Sequence, residues 1–257
     1  MRLFDTHTHL NMRDFARDLP LVLRRAQSRG VEKLLCVGYN FRSSAESVTF
    51  SQTVPYAWAS VGVHPHDAKT VLDGDYKFLD TLRSSPKVVA WGEIGLDYYR
   101  DLSPRPLQQE IFRAQIRLAR KAKLPIIVHE RDAHVDLLVI LEEEQAKEFG
   151  GVLHCFSASW KEARQALDLG FYLSFAGNVT YPASHSIREV ARKVPVDRIL
   201  VETDCPYLKP LPDRKGRNEP AFVRSVLEFV ADLRGEPAED LAVHAWENAH
   251  RLLCLAT

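Results

Sequence analysis

"KVVAWGEIGLDYYRDLSPRPLQQEIFRAQIRLARKAKLPIIVHE", residues 87–130, carries an apolar run at each end and an amphipathic stretch between them. The first run, "KVVAWGEIGL" (87–96), and the last, "LPIIVHE" (124–130), are short and apolar, as buried strands are. Between them Leu107, Ile111, Ala114 and Leu118 recur at helical spacing. "SPRP" ahead of them supplies a start signal, because proline fits the first turn of a helix. Strand, helix and strand over so short a span predict a βαβ unit with parallel strands.

The alternation extends in both directions. Toward the N-terminus the runs are "RLFDTHTHL" (2–10), "EKLLCVGY" (32–39) and "AWASVGVHP" (57–65). Toward the C-terminus they are "GVLHCF" (151–156), "FYLSFAGNV" (171–179) and "RILVETDCP" (198–206). Helical patterns separate them, among them "DFARDLPLVLRRAQSRG" (14–30) and "WKEARQALDLG" (160–170). Eight such units in 257 residues match the count and length of a (β/α)8 TIM barrel, so the chain reads as one α/β domain, 1–257. An open doubly wound sheet is the competing topology, and it usually stops at fewer strands. The tail, "PAFVRSVLEFVADLRG" and "PAEDLAVHAWENAHRLLCL", predicts two more helices packed outside.

Composition sets the bounds. A 46% hydrophobic and 26% charged chain has an ordinary globular core, so disorder is excluded. The 34 Lys and Arg balance 34 Asp and Glu, so any contact with nucleic acid is expected to be local. Cys36, Cys155, Cys205 and Cys254 are scattered without a C-x-x-C pair, as reduced thiols are. The N-terminus enters a strand without a leader-like segment, and no apolar run reaches about 18 residues. The expectation is a cytoplasmic protein with no membrane contact and no obligate protein partner.

The ionisable residues that interrupt the apolar runs stand at their C-terminal ends. His7 and His9 close the first run, His64 the third, Glu93 the fourth, His129 the fifth and His154 the sixth, while Glu202 and Asp204 close the last. In a parallel barrel those ends share one face, where barrel active sites lie. Burying them unpartnered would cost several kcal/mol each, and a divalent cation is the usual partner for such a set. His7 and His9, two apart, share one strand face. The donors exceed the three protein ligands of a catalytic zinc and suit two ions about 3.5–4 Å apart that share a carboxylate. His7, His9 and Asp204 would hold one ion and His129 and His154 the other, with Glu93 as the bridge.

The stretches "DTHTHL" (5–10), "GVHPH" (62–66), "GEIGLDYY" (92–99), "PIIVHERDA" (125–133) and "HCFSAS" (154–159) resemble the TatD family of metal-dependent deoxyribonucleases, in the amidohydrolase superfamily. So do "SFAGNVTY" (174–181), "ETDCPYL" (202–208) and "RNEPAFV" (217–223), in family order. The resemblance implies a TIM barrel, two divalent ions and hydrolysis of DNA phosphodiesters, typically from a 3′ end. It places the metal ligands on His7, His9, Glu93, His129, His154 and Asp204. Two positions depart from the family pattern: Asn11, often Asp, and Ala158, often Gly. Neither is a ligand, so they bear on loop detail. Four imidazoles favour Zn2+, Mn2+, Fe2+ or Ni2+, whereas the family's nuclease activity is usually supported by Mg2+.

The expected catalytic residues are Asp204, as ligand and proton acceptor, and Glu93. His64 is a contact to the substrate phosphate or leaving group, or else a loop-shaping hydrogen bond, and His66 beside it is a weaker candidate. Arg131 is a phosphate contact or a salt bridge at the next helix. Asp97 and Glu202 are expected to orient ligands. Lys209, Arg214, Lys215 and Arg217 make the loop after the last strand basic, which suits a phosphate-contacting rim. Strand alternation turns Cys155 and Cys205 toward the outer helices. His134, His185, His244 and His250 read as surface or structural. Two other readings of the same residues stand: a metal-dependent amide or ester hydrolase, such as a D-aminoacyl-tRNA deacylase, and a barrel that binds without catalysing. The latter would lack a ligand, and none is missing.

Overall fold

All eight apolar runs form strands, and the strands pair in chain order, each parallel to the next. They are β1 (Leu3–Thr8), β2 (Val31–Cys36), β3 (Ala57–Val61), β4 (Val88–Asp97), β5 (Ile126–Arg131), β6 (Gly151–Leu153), β7 (Tyr172–Phe175) and β8 (Ile199–Val201). The computed structural model describes residues 1–72, 74–212 and 215–256. The sheet curls until the segment after β8 meets β1. Asp204 N–H donates to the His7 carbonyl at 2.9 Å, His9 N–H donates to the Cys205 carbonyl at 2.9 Å, and Thr8 bridges Cys205. The result is a nearly closed (β/α)8 barrel.

The helices are α1 (Leu19–Ser28), α2 (Phe41–Thr53), α3 (Tyr76–Leu82), α4 (Arg105–Ala122), α5 (His134–Glu143), α6 (Trp160–Asp168), α7 (His185–Lys193), α8 (Val223–Arg234) and α9 (Ala238–Leu252). The helix expected over 14–30 begins only at Leu19, because Pro20 has no N–H to donate and belongs in a first turn; a short 3-10 turn, Arg13–Phe15, precedes it. Among the described residues no helix is long and apolar enough to cross a membrane.

Two apolar clusters divide the core. The larger joins outward-facing strand residues such as Leu34, Ala59 and Ile94 to helix residues such as Val22, Ile116 and Val190. The smaller gathers Phe4, Leu35, Ile127, Val152, Tyr172 and Leu200. These come from strands that are not all neighbours, so they can meet only inside the barrel. Trp246, Ala249 and Leu252 of α9 join that inner cluster. The last helix therefore helps to plug the barrel rather than packing only outside it, as the sequence had suggested.

Six of the strands stop short of their apolar runs at the C-terminal end, whereas β4 and β5 run one residue past theirs. The run over 198–206 keeps only Ile199–Val201 in the ladder, and that over 151–156 keeps Gly151–Leu153. The backbone turns out of the pleat there, with Cys155 at φ 46° and Asp204 at φ 55°. Single hydrogen bonds continue, from Glu202 N–H to the Phe175 carbonyl and from His154 N–H to the Val128 carbonyl. His7, Glu93 and His129 thus remain within β1, β4 and β5, while His9, His64, His154, Glu202 and Asp204 stand on the loops just beyond the strands. There their side chains can turn toward the barrel axis.

Two buried glutamines of α4 hold this rim. Gln115 accepts from Val63 N–H at 2.8 Å and donates to the Val63 carbonyl at 2.9 Å, acting as a strand edge beside His64. Gln108 does the same for Asp97, at 2.9 and 3.2 Å. Between β4 and β5 the approach is set by glycine. At Gly95, φ 145°, a Cβ would stand 2.0 Å from the His129 carbonyl oxygen. Gly95→Ala should therefore lower unfolding stability by about 3 kcal/mol or more, because backbone must move. Gly170→Ala, at φ 81° with nothing within 4 Å of the added carbon, should lose only about 1 kcal/mol. Denaturant midpoints of the two variants check the contrast, which vanishes if the β4–β5 contact is unimportant.

Candidate metal centre

His7 and His9 leave the end of β1 with their rings 5.0 Å apart and their Nε2 atoms 3.3 Å apart. Asp204, brought beside them by the β8–β1 seam, sets Oδ1 at 3.8 Å from His7 Nε2 and 3.4 Å from His9 Nε2. From across the barrel Glu93 adds Oε2 at 3.5 and 3.7 Å from the same two nitrogens. Four donor atoms thus converge on one small space.

The other Glu93 oxygen faces a second group. Oε1 lies 3.0 Å from His129 Nδ1, 2.9 Å from His154 Nε2 and 3.3 Å from His64 Nε2. His129 Nδ1 and His154 Nε2 are 3.4 Å apart. Donors 2.0–2.2 Å from a tetrahedral ion are about 3.3–3.6 Å from one another, close to the spacings in both groups. Imidazole and carboxylate lone pairs aimed at a common point suit a divalent cation. The residues fit one ion in each group.

The far ring nitrogens decide which atoms can serve. His154 Nδ1 lies 3.2 Å from Glu202 Oε1, His129 Nε2 lies 3.2 Å from Asp97 Oδ2, and His9 Nδ1 lies 3.3 Å from the Val37 carbonyl. Each of these partners accepts a proton, which fixes the tautomer and leaves the inward nitrogen with a lone pair. His64 is the opposite case. Its Nδ1 accepts the His66 N–H at 3.1 Å, so in the neutral ring Nε2 carries the proton. Burial, with the nearby His129 adding to it, depresses its pKa to about 4, so the ring is neutral near pH 7. His64 is therefore a hydrogen-bond donor toward Glu93 rather than a ligand.

Behind these stand groups that fix the supports. Glu202 also accepts Cys155 N–H at 2.7 Å. Asp97 accepts Arg100 N–H at 2.7 Å and contacts His66 Nε2 at 2.7 Å. Asp5, fully buried, accepts Thr203 N–H at 2.9 Å and the Thr203 hydroxyl at 2.6 Å, binding β1 to the residue before Asp204. The sequence reading passed over Asp5, Gln108 and Gln115. Polar residues inside apolar patterns were the available signal, and Asp5 opens the same stretch as His7.

The electrostatics follow from burial among opposite charges. Burial alone would raise the Glu93 carboxyl; the charge of His154 and hydrogen bonds from His129 and His154 instead hold it well below the carboxylate range. Asp204 is likewise pushed up by burial and, more strongly, down by its bond to His9 and by His7. For His154, burial favours the neutral ring, yet Glu93 and Glu202 carry it well above the imidazole range. His9 and His129 are raised against burial in the same way, by Asp204 and by Asp97 with Glu93. Burial and the charge of His154 lower His7.

Several expectations need correction. Cys155 is only partly buried; its left-handed backbone turns it to the rim, where Asn178 Nδ2 donates to its sulfur at 3.5 Å. Cys205 is packed in the core as expected. Arg131 makes no ion pair among the described residues and lies over the Tyr99 ring at 3.8 Å. Arg217, expected as a phosphate contact, already has protein partners. It donates to the Asp14 carbonyl, pairs with Asp18 Oδ2 at 2.8 Å and covers the Phe15 ring, which ties the loop after β8 to the segment before α1. Arg214, named for the basic rim, lies outside the described residues.

The model of a family described as TatD related DNase matches residues 4–254. A Bacillus subtilis protein named uncharacterized metal-dependent hydrolase YabD is 43% identical over 97% of this chain and 98% of its own. A Citrobacter rodentium protein named 3′-5′ ssDNA/RNA exonuclease TatD is 35% identical over 97% of both. The crystal structure of YjjV, a TatD homologue of Escherichia coli K12, superposes with a TM-score of 0.94 at 30% identity, covering 99% of both chains.

Protons held on His9, His129 and His154 must leave before an ion can take their places. Because these imidazoles are raised, they keep protons to higher pH, so metal affinity should climb as pH rises through and above neutrality. Glu93 and Asp204, both lowered, stay ionised and contribute nothing to that slope. Calorimetric titration of Mn2+ into the chelator-stripped protein, in buffers of different ionisation enthalpy, should record proton release. Affinity independent of pH would contradict the assignment.

Proposed function

The chain belongs to the TatD-related DNase family and is a metal-dependent hydrolase, and from that premise we propose that it cleaves DNA phosphodiester bonds, removing nucleotides from single-stranded 3′ ends with two divalent ions. The observation that carries this reading is the division of Glu93, one oxygen toward His7 and His9, the other toward His129 and His154. His7, His9 and Asp204 would hold one ion, His129 and His154 the other, and Glu93 would serve both. Bound there, divalent ions bring the pKa of water toward neutrality and polarise a phosphoryl oxygen. Mg2+ is the ion proposed for nuclease activity, with Zn2+, Mn2+, Ni2+ or Fe2+ as occupants suited to the imidazoles.

The chain's own groups supply the rest. Asp204 stays ionised although only slightly exposed, so it can accept the proton that the nucleophilic water gives up. His64 Nε2–H, aimed at the centre, donates to a phosphate oxygen or the departing 3′-oxygen. Glu202 and Asp97 keep His154 and His129 in the tautomers that bind. The depth of the centre, with His7, Glu93 and Asp204 buried or nearly so, excludes bulk water and strengthens each of these interactions. The named activity of the Citrobacter relative supports the substrate class.

Asp204→Asn keeps the size and a coordinating oxygen and removes the basic site. Metal content should fall in part, while single-turnover cleavage of a 3′-ended single strand should drop about 10²–10⁴-fold and stay low at saturating metal. Recovery of wild-type turnover at full occupancy would make Asp204 a ligand only and pass the base to Glu202.

His129→Ala or His154→Ala should reduce bound metal from two ions toward one per chain and cut hydrolysis by orders of magnitude, read by elemental analysis beside the same cleavage assay. Wild-type protein that hydrolyses D-aminoacyl-tRNA but leaves single-stranded DNA intact would replace the nuclease reading with a carbonyl hydrolase.

A further inference from the structure

Most exposed large apolar side chains lie away from the centre, such as Leu21, Phe78, Val135, Val139 and Val243 on the outer helices. Tyr207 and Tyr99 are different. Tyr207, 52% exposed, follows Asp204 by three residues, and its ring centroid is 6.3 Å from that of His9. Tyr99, 60% exposed, stands two residues past Asp97 and lies under the Arg131 guanidinium at 3.8 Å. Arg131 is itself two residues past His129, and its Cα pairs with that of Asp97. One aromatic surface therefore borders the His9–Asp204 side of the centre, and another borders the His129–Asp97 side.

Both are held in place. Asn218, fully buried, donates to the Tyr207 and Thr203 carbonyls, the first at 2.5 Å and the second at 2.9 Å, which fixes the backbone under Tyr207. Tyr39 stands edge-on to His9 at 5.3 Å, on the same side of the centre. On the other side Tyr98 N–H donates to the Arg131 carbonyl at 2.9 Å, keeping the Tyr99 and Arg131 segments side by side. Ordering two exposed aromatics costs entropy, and packing of the core gains nothing from either.

We infer that Tyr207 and the Arg131–Tyr99 pair are stacking platforms for the unpaired bases on either side of the scissile phosphate. The inference rests on the nucleic-acid reading above and adds the residues that would hold the bases of the single strand. A phosphate held at the centre would carry one base toward each aromatic surface. A flat ring can stack on any base but only on an exposed base face, and bases inside a duplex have none. The guanidinium on Tyr99 adds a cation beside the backbone without the general basic excess that this chain lacks. Selection of single strands would then come from stacking rather than from net charge.

The test measures binding, so that it does not depend on cleavage. The full-length, Mg2+-loaded protein is titrated with a fluorescent single-stranded oligonucleotide whose 3′ linkages are phosphorothioates. A second strand has abasic residues at the two terminal 3′ positions. Tyr207→Ala and Tyr99→Ala should each weaken the base-bearing strand about tenfold and leave the abasic strand unchanged, while Tyr207→Phe binds as wild type does. Equal losses on both strands would show phosphate positioning or damage to the fold and overturn the inference. Equal wild-type affinity for the two strands would overturn it too, whereas failure to cleave unmodified DNA would defeat only the nuclease reading.

Discussion

One buried carboxylate organises the molecule. Glu93 sits within β4 with both oxygens turned inward, and a charge at that depth is tolerable only where opposite charge surrounds it. Imidazoles from the ends of β1, β5 and β6 and from the loop after β3 provide that surround. No two adjacent strands could do so, since the donors stand on opposite sides of the barrel. The closure of the sheet is thus what the site demands of the fold. The glycine at 95, which lets β5 approach the strand that carries Glu93, is one of its conditions.

The outer supports distribute charge in pairs. Every inward nitrogen except those of His7 and His64 has a proton acceptor on its far side: a carboxylate for His129 and His154, a carbonyl for His9. His7 Nδ1, buried, has no hydrogen-bond partner among the described residues. His64 is wired in reverse by the backbone N–H of His66. The same residue type therefore serves as electron-pair donor on one side of the pocket and as proton donor on the other, and a single hydrogen bond at the remote nitrogen decides which.

Much of this was legible in the sequence because two periodicities carried it. Apolar runs alternating with helical patterns announced the barrel, and ionisable residues at the ends of the runs announced a face on which they would converge. The barrel is found and the six residues do converge. Less visible was whatever depends on rotation about a single residue. Cys155 and Asp204 take left-handed backbone conformations, so strand alternation misplaces Cys155. Arg217 is three-dimensionally adjacent to Asp18, a pairing that no spacing along the chain reveals. Gln108 and Gln115 lie on the buried face of α4, where the apolar residues alone carry the helical periodicity.

The β8–β1 seam bears on how the protein matures. His7 and His9 are synthesised long before Asp204; the hydrogen bonds that seat its segment run from Asp204 N–H to the His7 carbonyl and from His9 N–H to the Cys205 carbonyl. Until then β1 has only its β2 neighbour, and a thermodynamically complete pocket does not exist on the nascent chain. The full donor set is thereby assembled only when the ring of strands shuts. A chain stalled before that point would hold only part of the donor set, His7 and His9 waiting for their carboxylate.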